Sequence, residues 1–329
     1  MNHQQGAGVE PVGTTVREAG VGRRSGVGSS FGTFGELLQG ALPGAGEDFL
    51  VTLPIARWST ARLTLVPGTT ELLVEPAGKH KALRAARLML DAYGIRHGGT
   101  LELASDLPEG KGMSSSSADL VATVRAVASA LGVPVTPQET ESYLRPIEPT
   151  DGLMYRDVVA FYHQKVKLHR TLGPVPPLTI VGIDEGGQVD TVAFNASRPV
   201  ITAAQRREYA ALLDRLTTAL STGDLRTVGA VATRSAVLNQ ERCRKRHLPW
   251  ALEVCRDLGA LGVAVAHSGT VIGIVVSGED PRHAQKVTDI AAAATELAGA
   301  VSVDHTLGLA DASRSVGVPV IRSGVPDGD

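Results

Sequence analysis

The chain is 329 residues long and 43% hydrophobic, enough to bury the core of one large domain or two smaller ones. Its formal net charge is −2, so it lacks the basic field that favours nucleic acid or an anionic membrane. It has two cysteines, no run of about eighteen apolar residues and no signal-peptide segment, which predicts a cytoplasmic protein. We therefore expect a small-molecule partner, with no nucleic acid and no membrane.

The first part of the chain mixes strand and helix patterns. Residues 1–27 have single charges and many glycines without periodicity, so a disordered leader is predicted there. The glycine-dense segment 28–40 is the first part expected to be ordered. Strands are predicted at 49–53, 62–66, 71–75 and 100–104, and a helix at 79–93 with Leu83, Ala86, Leu90 and Tyr93 on one face.

The stretch 106–131 is the most informative part of the sequence. It follows a predicted strand with a run of small residues and then a helix over 119–131. Gly110 and Gly112 let the backbone approach a ligand, and Ser114–Ser117 add hydroxyl groups beside the free N–H groups of a helix N-terminus. This predicts a phosphate site, although not a Walker loop, because no Gly-Lys-Ser/Thr occurs there. A flexible Ser/Gly linker is the alternative.

Two carboxylates lie on a stiff connection after that helix. Pro146 and Pro149 restrict the segment 145–152 and hold Glu148 and Asp151 three residues apart. Spacing alone leaves them either solvated or catalytic. The phosphate site favours catalysis, because phosphoryl transfer to a hydroxyl uses one carboxylate to orient or deprotonate that hydroxyl and another oxygen ligand for Mg²⁺.

The rest of the chain continues the α and β mixture. A capping box at Thr136–Glu139 begins one helix, and an apolar face marks another. That face comprises Tyr209, Leu212, Leu213, Leu216 and Leu220. Strands are predicted at 178–183, 189–194, 262–266, 271–276 and 300–304, a helix at 281–297 and a frayed tail at 323–329. The basic runs 156–170 and 242–247 are interpreted as solvated faces, the second of them on a helix.

The residues Pro108 to Ala118 resemble the phosphate loop of the kinases named after galactokinase, homoserine kinase, mevalonate kinase and phosphomevalonate kinase, the GHMP kinases. Two further segments lie where that family has its other motifs. They are Phe34-Gly35-Glu36 near the N-terminus and the polar loop 267–270 between two strands. The three segments occur in the family's order.

This resemblance implies an α+β, two-lobed fold. A ribosomal-protein-S5-like, ATP-binding lobe is expected at 28–175, and a ferredoxin-like lobe at 176–322. The chain departs from the family pattern at one point. Mevalonate-type members have a lysine shortly before the Gly-Glu pair, and here those positions are Phe31, Gly32 and Thr33.

The resemblance also implies ATP and Mg²⁺, and it assigns residues to each. ATP binding falls to Pro108, Gly110, Lys111, Gly112, Met113, Ser114, Ser115, Ser116 and Ser117. It implies that Asp151 and Glu148 are catalytic and that Ser116 and Glu148 bind the metal, with Glu141 as the rival metal ligand. Substrate binding falls to Glu36, Gln39, His267, Ser268 and Thr270.

The Glu-Pro-Thr-Asp string at 148–151 resembles the sub-group that phosphorylates L-threonine for the cobalamin side chain. This implies a kinase that makes O-phospho-L-threonine, with Glu36 and a basic residue from 156–170 binding the charged groups of the acceptor. The alternatives are a kinase for homoserine or another hydroxylated metabolite, and a non-catalytic ligand-binding relative. The sequence leaves a homodimer open.

Overall fold

The computed structural model describes residues 23–44, 47–187 and 200–310. Its strands are β1 (Arg24–Ala41), β2 (Asp48–Val66), β3 (Leu72–Glu75), β4 (Gly98–Ser105), β5 (Val158–Tyr162), β6 (Lys167–Gly173), β7 (Leu178–Asp184), β8 (Gly262–Val265), β9 (Val271–Ser277) and β10 (Val301–His305). Its α-helices are α1 (His80–Ala92), α2 (Ser115–Leu131), α3 (Pro137–Leu144), α4 (Ala203–Thr222), α5 (Leu225–Asn239), α6 (Leu248–Asp257) and α7 (His283–Ala298). The predicted α+β class is confirmed. Within the described ranges, no helix is both long and apolar enough to cross a membrane.

The N-terminal half is organised around the long antiparallel pair of β1 and β2. The sheet continues from β2 through β4 to β3, and β2 also pairs with β5, which pairs with β6. Helix α2 packs on β1 and β2 and is buried along most of its length, including Leu120, Val124 and Val127. Burying apolar surface is favourable by about 25 cal/mol per Å², so this contact holds α2 firmly on the sheet. The position of the helix N-terminus is fixed as a result.

The C-terminal half has the predicted ferredoxin-like topology. Its strands lie in the order β10-β7-β9-β8, and all neighbouring pairs are antiparallel. Helices α4, α5 and α6 connect β7 to β8 in sequence, and α7 connects β9 to β10. The predicted boundary at residue 175 falls in the connection between β6 and β7. The division of the chain into two domains there stays a prediction.

The two halves meet in one sheet at Glu36, which pairs with Val265 of β8. The register of β1 against β2 shifts on both sides of Glu36, so a bulge lies at this point. Gly35 has φ +55°, and a Cβ atom on it would come within 2.5 Å of the Val265 carbonyl oxygen. Because a bulge redirects the neighbouring side chains, this local geometry decides where the Glu36 carboxylate lies.

Two sequence interpretations are corrected by the fold. Strand β1 begins at Arg24, within the predicted leader, because residues 24–27 pair with the end of β2. The run 242–247 is not a solvated helix face but the connection between α5 and α6, with the Lys245 side chain buried. Three predicted segments, namely residues 1–22 of the leader, the strand at 189–194 and the tail at 323–329, lie outside the described residues.

Candidate active site

A cavity of about 200 Å³ lies at the N-terminus of α2. It is lined by Glu36, Leu50, Lys81, Gly110, Gly112, Met113, Ser114, Ser115, Ser116, Ser117, Glu148, Pro149, Asp151, His163, His267 and Ser268. Most of the residues that the sequence assigned to phosphate, catalysis and acceptor therefore face one space. The segment 110–117 forms one side of it, and we call this segment the phosphate loop.

The phosphate loop enters α2 through Ser114, which has the left-handed conformation (φ 58°, ψ 31°) and caps no N–H group of the helix with its side chain. Its hydroxyl donates instead to Asp151 Oδ2 at 2.7 Å, and Thr33 Oγ1 lies 2.6 Å from it. The first N–H groups of an α-helix have no partner within the helix, so they attract an anion when no side chain caps them. The start of α2 is thus uncapped by side chains, as the predicted anion site requires, and the site itself stays a prediction.

Ser116 and Glu148 form a pair of oxygen donors beside the phosphate loop. The Ser116 hydroxyl donates to Glu148 Oε1, and Lys81 Nζ donates to Glu148 Oε2. Lys81 was not among the residues predicted from the sequence. It lies in the first turn of α1, and its side chain lines the cavity beside the phosphate loop. Across 23–44, 47–187 and 200–310, no group of three or more His, Cys, Asp or Glu residues could hold a metal ion.

Asp151 lines the cavity and is held by two serines. It accepts the hydrogen bond from Ser114, and its backbone N–H donates to Ser117 Oγ at 3.3 Å. Burial raises the pKa of the Asp151 carboxyl; the hydrogen bond from Ser114 lowers it, and the nearby charge of Glu148 raises it. The result is a fixed carboxyl with a higher affinity for a proton than an ordinary aspartate.

Glu36 lines the same cavity from the bulge in β1. It is 5% exposed, and its Oε2 has no hydrogen-bond partner among the described residues. Burial raises the pKa of Glu36 well above its usual range, and the charge of Asp151 adds to the rise. A hydrogen bond from the backbone of His267 and the charge of Lys245 act against it. A buried carboxylate oxygen without a donor is costly, so this position favours a ligand that supplies one.

Two buried histidines, His163 and His267, line the cavity together with Glu36. We call these three residues the acceptor corner. The His163 and His267 rings are 5.1 Å apart and meet edge to face. Gln39 does not line the cavity; its Oε1 lies 3.0 Å from His267 Nδ1 and fixes that ring from behind. His163 was missed as a site residue, although its position directly after the apolar strand 158–162 was a signal for burial.

Three residues predicted to bind a ligand, Pro108, Lys111 and Thr270, lie outside the cavity lining. The Lys111 side chain pairs with Asp184 at 2.6 Å, and its carbonyl oxygen accepts from Thr270 N at 3.1 Å. The Thr270 hydroxyl donates to the same Asp184 carboxylate at 2.5 Å. Pro108 is exposed and also lies outside the lining. The structure therefore gives Lys111 and Thr270 a bracing role.

Glu141, the predicted rival metal ligand, also lies outside the cavity lining. Its Oε1 accepts hydrogen bonds from the Tyr155 hydroxyl and from Leu168 N, both at 2.9 Å. Burial raises the pKa of Tyr155, and the hydrogen bond to Glu141 raises it further. Glu141 thus ties α3 to the start of β6.

A second recess of about 380 Å³ adjoins the first and shares Lys81, Gly110, Ser115 and Ser116 with it. Its far wall is the start of α1. Lys79 Nζ lies there 2.6 Å from Asp119 Oδ2, and Ser59 donates to the other oxygen of Asp119 at 2.5 Å. The two spaces meet at the N-terminus of α2, so one elongated ligand can occupy both.

Two family profiles match the sequence of this chain. Residues 80–165 match the profile described as GHMP kinases N terminal domain, and residues 216–296 match GHMP kinases C terminal. Together the two matches span more than half of the chain. They include the phosphate loop, Glu148, Asp151 and the connection that carries Lys245.

Two curated relatives are L-threonine kinases. The protein from Salmonella typhimurium is 26% identical over 248 residues, which cover 74% of this chain and 80% of the relative. The protein from Citrobacter freundii is 28% identical over 252 residues, covering 74% and 83%.

Solved structures show the same fold. Mevalonate kinase from L. major in complex with R-mevalonate has a TM-score of 0.63 at 19% identity, covering 89% of this chain and 98% of that one. Homoserine kinase from Cytophaga hutchinsonii also has a TM-score of 0.63, at 16% identity, covering 87% and 96%. These likenesses support the fold of this chain and nothing finer.

Proposed function

The chain belongs to the GHMP kinase family and is an ATP-dependent kinase, and from that premise we propose that it phosphorylates the side-chain hydroxyl of L-threonine. The product is O-phospho-L-threonine, for the aminopropanol side chain of cobalamin. The observation that carries the proposal is the buried Glu36 carboxylate, whose Oε2 lacks a donor in the cavity. An amino acid supplies that donor through its ammonium group. The similarity to two L-threonine kinases favours threonine among the amino acids.

The nucleotide fits the phosphate loop and the recess beside it. The uncapped N-terminus of α2 suits the phosphates, and the recess between α1 and the loop is the space for the rest of ATP. Ser116 and Glu148 offer the hard oxygen ligands that Mg²⁺ prefers. Few protein ligands are needed, because Mg²⁺ in kinases is bound through one or two carboxylates and the substrate phosphates. When bound, Mg²⁺ supplies positive charge that neutralises the transferring phosphoryl group.

Asp151 is proposed to orient the threonine hydroxyl and to accept its proton as the hydroxyl oxygen bonds to phosphorus. The carboxyl is held by Ser114 at one oxygen, which leaves Oδ1 to face the hydroxyl. The raised pKa of Asp151 suits this role, since a general base works best when its pKa approaches the operating pH. Positioning contributes as well, because phosphoryl transfer has a loose transition state.

The acceptor corner is proposed to recognise both charged groups of the amino acid. Glu36 takes the ammonium group through a charge-assisted hydrogen bond. His163 is the member of the predicted region 156–170 that lines the cavity, and we assign it to the carboxylate. The hydroxyl then points along the cavity toward Asp151 and the phosphate loop.

The experiment is an ADP-release assay with L-threonine, L-serine, L-homoserine and L-lactate, with mass spectrometry of the products. We expect the highest kcat/KM for L-threonine and O-phospho-L-threonine as its product. A higher kcat/KM for L-homoserine would assign the enzyme to the neighbouring kinase class. ADP release with L-lactate as efficient as with the amino acids would remove Glu36 as the determinant. No ADP release with any acceptor would support a ligand-binding protein.

A further inference from the structure

Lys245 is a buried lysine to which the mechanism gives no role. It lies in the connection between α5 and α6, and its side chain is among the most buried of the large ones, at 2% exposure. Removing an ammonium group from water costs several kcal/mol unless polar partners compensate for it. The position of Lys245 therefore calls for an explanation in terms of what surrounds it.

The main chain around Lys245 is held rigidly by one side chain. Gln240 Oε1 accepts from Lys245 N at 2.6 Å, and Gln240 Nε2 donates to the Lys245 carbonyl at 3.0 Å. The ammonium group then donates to the Gly269 carbonyl oxygen and lies 3.2 Å from Cys243 Sγ. Lys245 is thus anchored at its backbone and directed at the turn 266–270 between β8 and β9.

That turn packs directly on the phosphate loop. A Cβ atom on Gly269 would come within 2.2 Å of the Lys111 carbonyl oxygen and 2.5 Å of Gly112 N. The backbone N–H groups of Thr270 and Val271 donate to the same Lys111 oxygen at 3.1 and 3.3 Å. Through Gly269, the Lys245 ammonium group therefore holds the turn that holds the loop.

Lys245 also acts on Glu36 across space, without a hydrogen bond between them. The groups that act on the Glu36 carboxylate are Asp151 and Cys243, which favour its neutral form, and Lys245 and the His267 backbone, which favour its charged form. The His163 ring lines the same cavity. Among the side chains that shift the pKa of Glu36, Lys245 is the one that promotes ionisation.

We propose that Lys245 is a positioning residue for an ammonium-bearing acceptor, because its buried ammonium group fixes the turn 266–270 against the phosphate loop. Without it, Glu36 shares its cavity with Asp151, and none of the other side chains that shift its pKa favours the charged form. An acceptor ammonium group would then meet a neutral carboxyl more often. The inference rests on the proposed function to the extent that the acceptor is an amino acid.

The test compares Lys245→Met and Lys245→Arg with the wild type in KM for L-threonine, KM for ATP and kcat, between about pH 6 and about pH 9. Lys245→Met should raise the threonine KM at least tenfold near neutral pH, and the excess should shrink as pH rises, because higher pH restores the Glu36 charge. Lys245→Arg should recover most of the affinity. Lys286→Met is the matched control: Lys286 also donates to a glycine carbonyl, that of Gly259, but in a separate recess.

A second measurement does not depend on activity. Thermal unfolding of Glu36→Gln and wild type, each with and without Lys245→Met, gives the pH at which the growing cost of Glu36 to stability levels off, which is set by its folded-state pKa. We expect that pH to be higher in the Lys245→Met background. An equal rise in threonine KM at every pH, or a Glu36 contribution to unfolding that Lys245→Met leaves unchanged, would overturn the inference. If threonine is no substrate, the proposed function fails while the unfolding cycle still decides the role of Lys245.

Discussion

The phosphate loop and the acceptor corner, which line the same cavity, are built in different ways. The phosphate loop comes from one continuous segment and relies on backbone N–H groups, with its serine hydroxyls already bonded to Asp151 and Glu148. The acceptor corner collects side chains from β1, from the 3₁₀ helix at His163–Lys165 and from the turn before β9, and it leaves a Glu36 oxygen without a donor. Phosphate binding needs repeated N–H donors, which a local motif supplies. Acceptor recognition needs opposite charges at set distances, which only the assembled fold supplies.

The difference extends to stability. The phosphate loop is partly exposed, and the Glu148 carboxylate beside it is matched by Lys81. The acceptor corner is buried, and its carboxyl group, Glu36, shares the cavity with Asp151; the pKa values of both carboxyl groups are raised. Substitutions in the two regions should therefore have different effects. Those at the phosphate loop should change turnover and the Mg²⁺ requirement. Those at the acceptor corner should change substrate affinity and the pH dependence of stability.

The largest effect is expected at Asp151. Asp151→Asn keeps the shape of the side chain but removes its charge, so kcat should fall at least tenfold, and by up to the ~10²–10⁴ that general-base catalysis contributes. KM for ATP should stay nearly unchanged, because the loop binds phosphate through its backbone. Steady-state kinetics measure both constants. Near-normal kcat in this variant would eliminate Asp151 as the base.

Ser116→Ala should lower kcat by roughly tenfold to a hundredfold, since a hydrogen bond to a charged group contributes about 1.5–3 kcal/mol. The fold should remain intact, as judged by circular dichroism, because the hydroxyl lies at the exposed start of α2. Ser129→Ala, at an exposed position near the end of the same helix, is the control and should behave as the wild type. Unchanged turnover in Ser116→Ala would remove this hydroxyl from the mechanism.

Glu148→Gln and Glu141→Gln should change different properties, the first the Mg²⁺ requirement and the second the stability. Glu148→Gln should raise the Mg²⁺ concentration for half-maximal activity several-fold, because it removes charge from the metal side of the cavity. Glu141→Gln should leave that concentration unchanged and lower stability by about 1–3 kcal/mol, since it weakens two hydrogen bonds to a buried carboxylate. Mg²⁺ titrations and urea unfolding make the comparison. A shifted Mg²⁺ requirement in Glu141→Gln would restore it as a metal ligand.

The smallest effect is a pH-dependent gain in stability from Glu36→Gln. The pKa of Glu36 is raised in the folded state, so the folded protein holds a proton that the unfolded chain has released above about pH 4.3. Glu36 therefore lowers stability increasingly as pH rises from there to its folded-state pKa, and by a constant amount above it. Melting curves without ligand should show the advantage of the variant growing with pH and then levelling. Glu253→Gln, at an exposed glutamate, should show no such trend.

The sequence predicted the parts of the site that depend on local chemistry. The capping box at Thr136 and Glu139 forms as expected, and α2 follows the phosphate loop. Lys245 could not be predicted, because its charged neighbours are typical of a solvated surface and its partner Gly269 is distant in sequence. The position of Glu141 outside the cavity could not be predicted for a related reason. Its spacing from Asp151 suits a ligand pair, but α3 turns its carboxylate toward Tyr155 and Leu168.

The most direct test of the division between the phosphate loop and the acceptor corner is isothermal titration calorimetry of wild type and Glu36→Gln. Each protein is titrated with L-threonine in the presence of a saturating non-hydrolysable ATP analogue and Mg²⁺, and separately with the analogue. The account predicts that Glu36→Gln binds threonine at least tenfold more weakly, about 1.4 kcal/mol, and binds the analogue like the wild type. Equal losses for both ligands, or unchanged affinity for threonine, would contradict it.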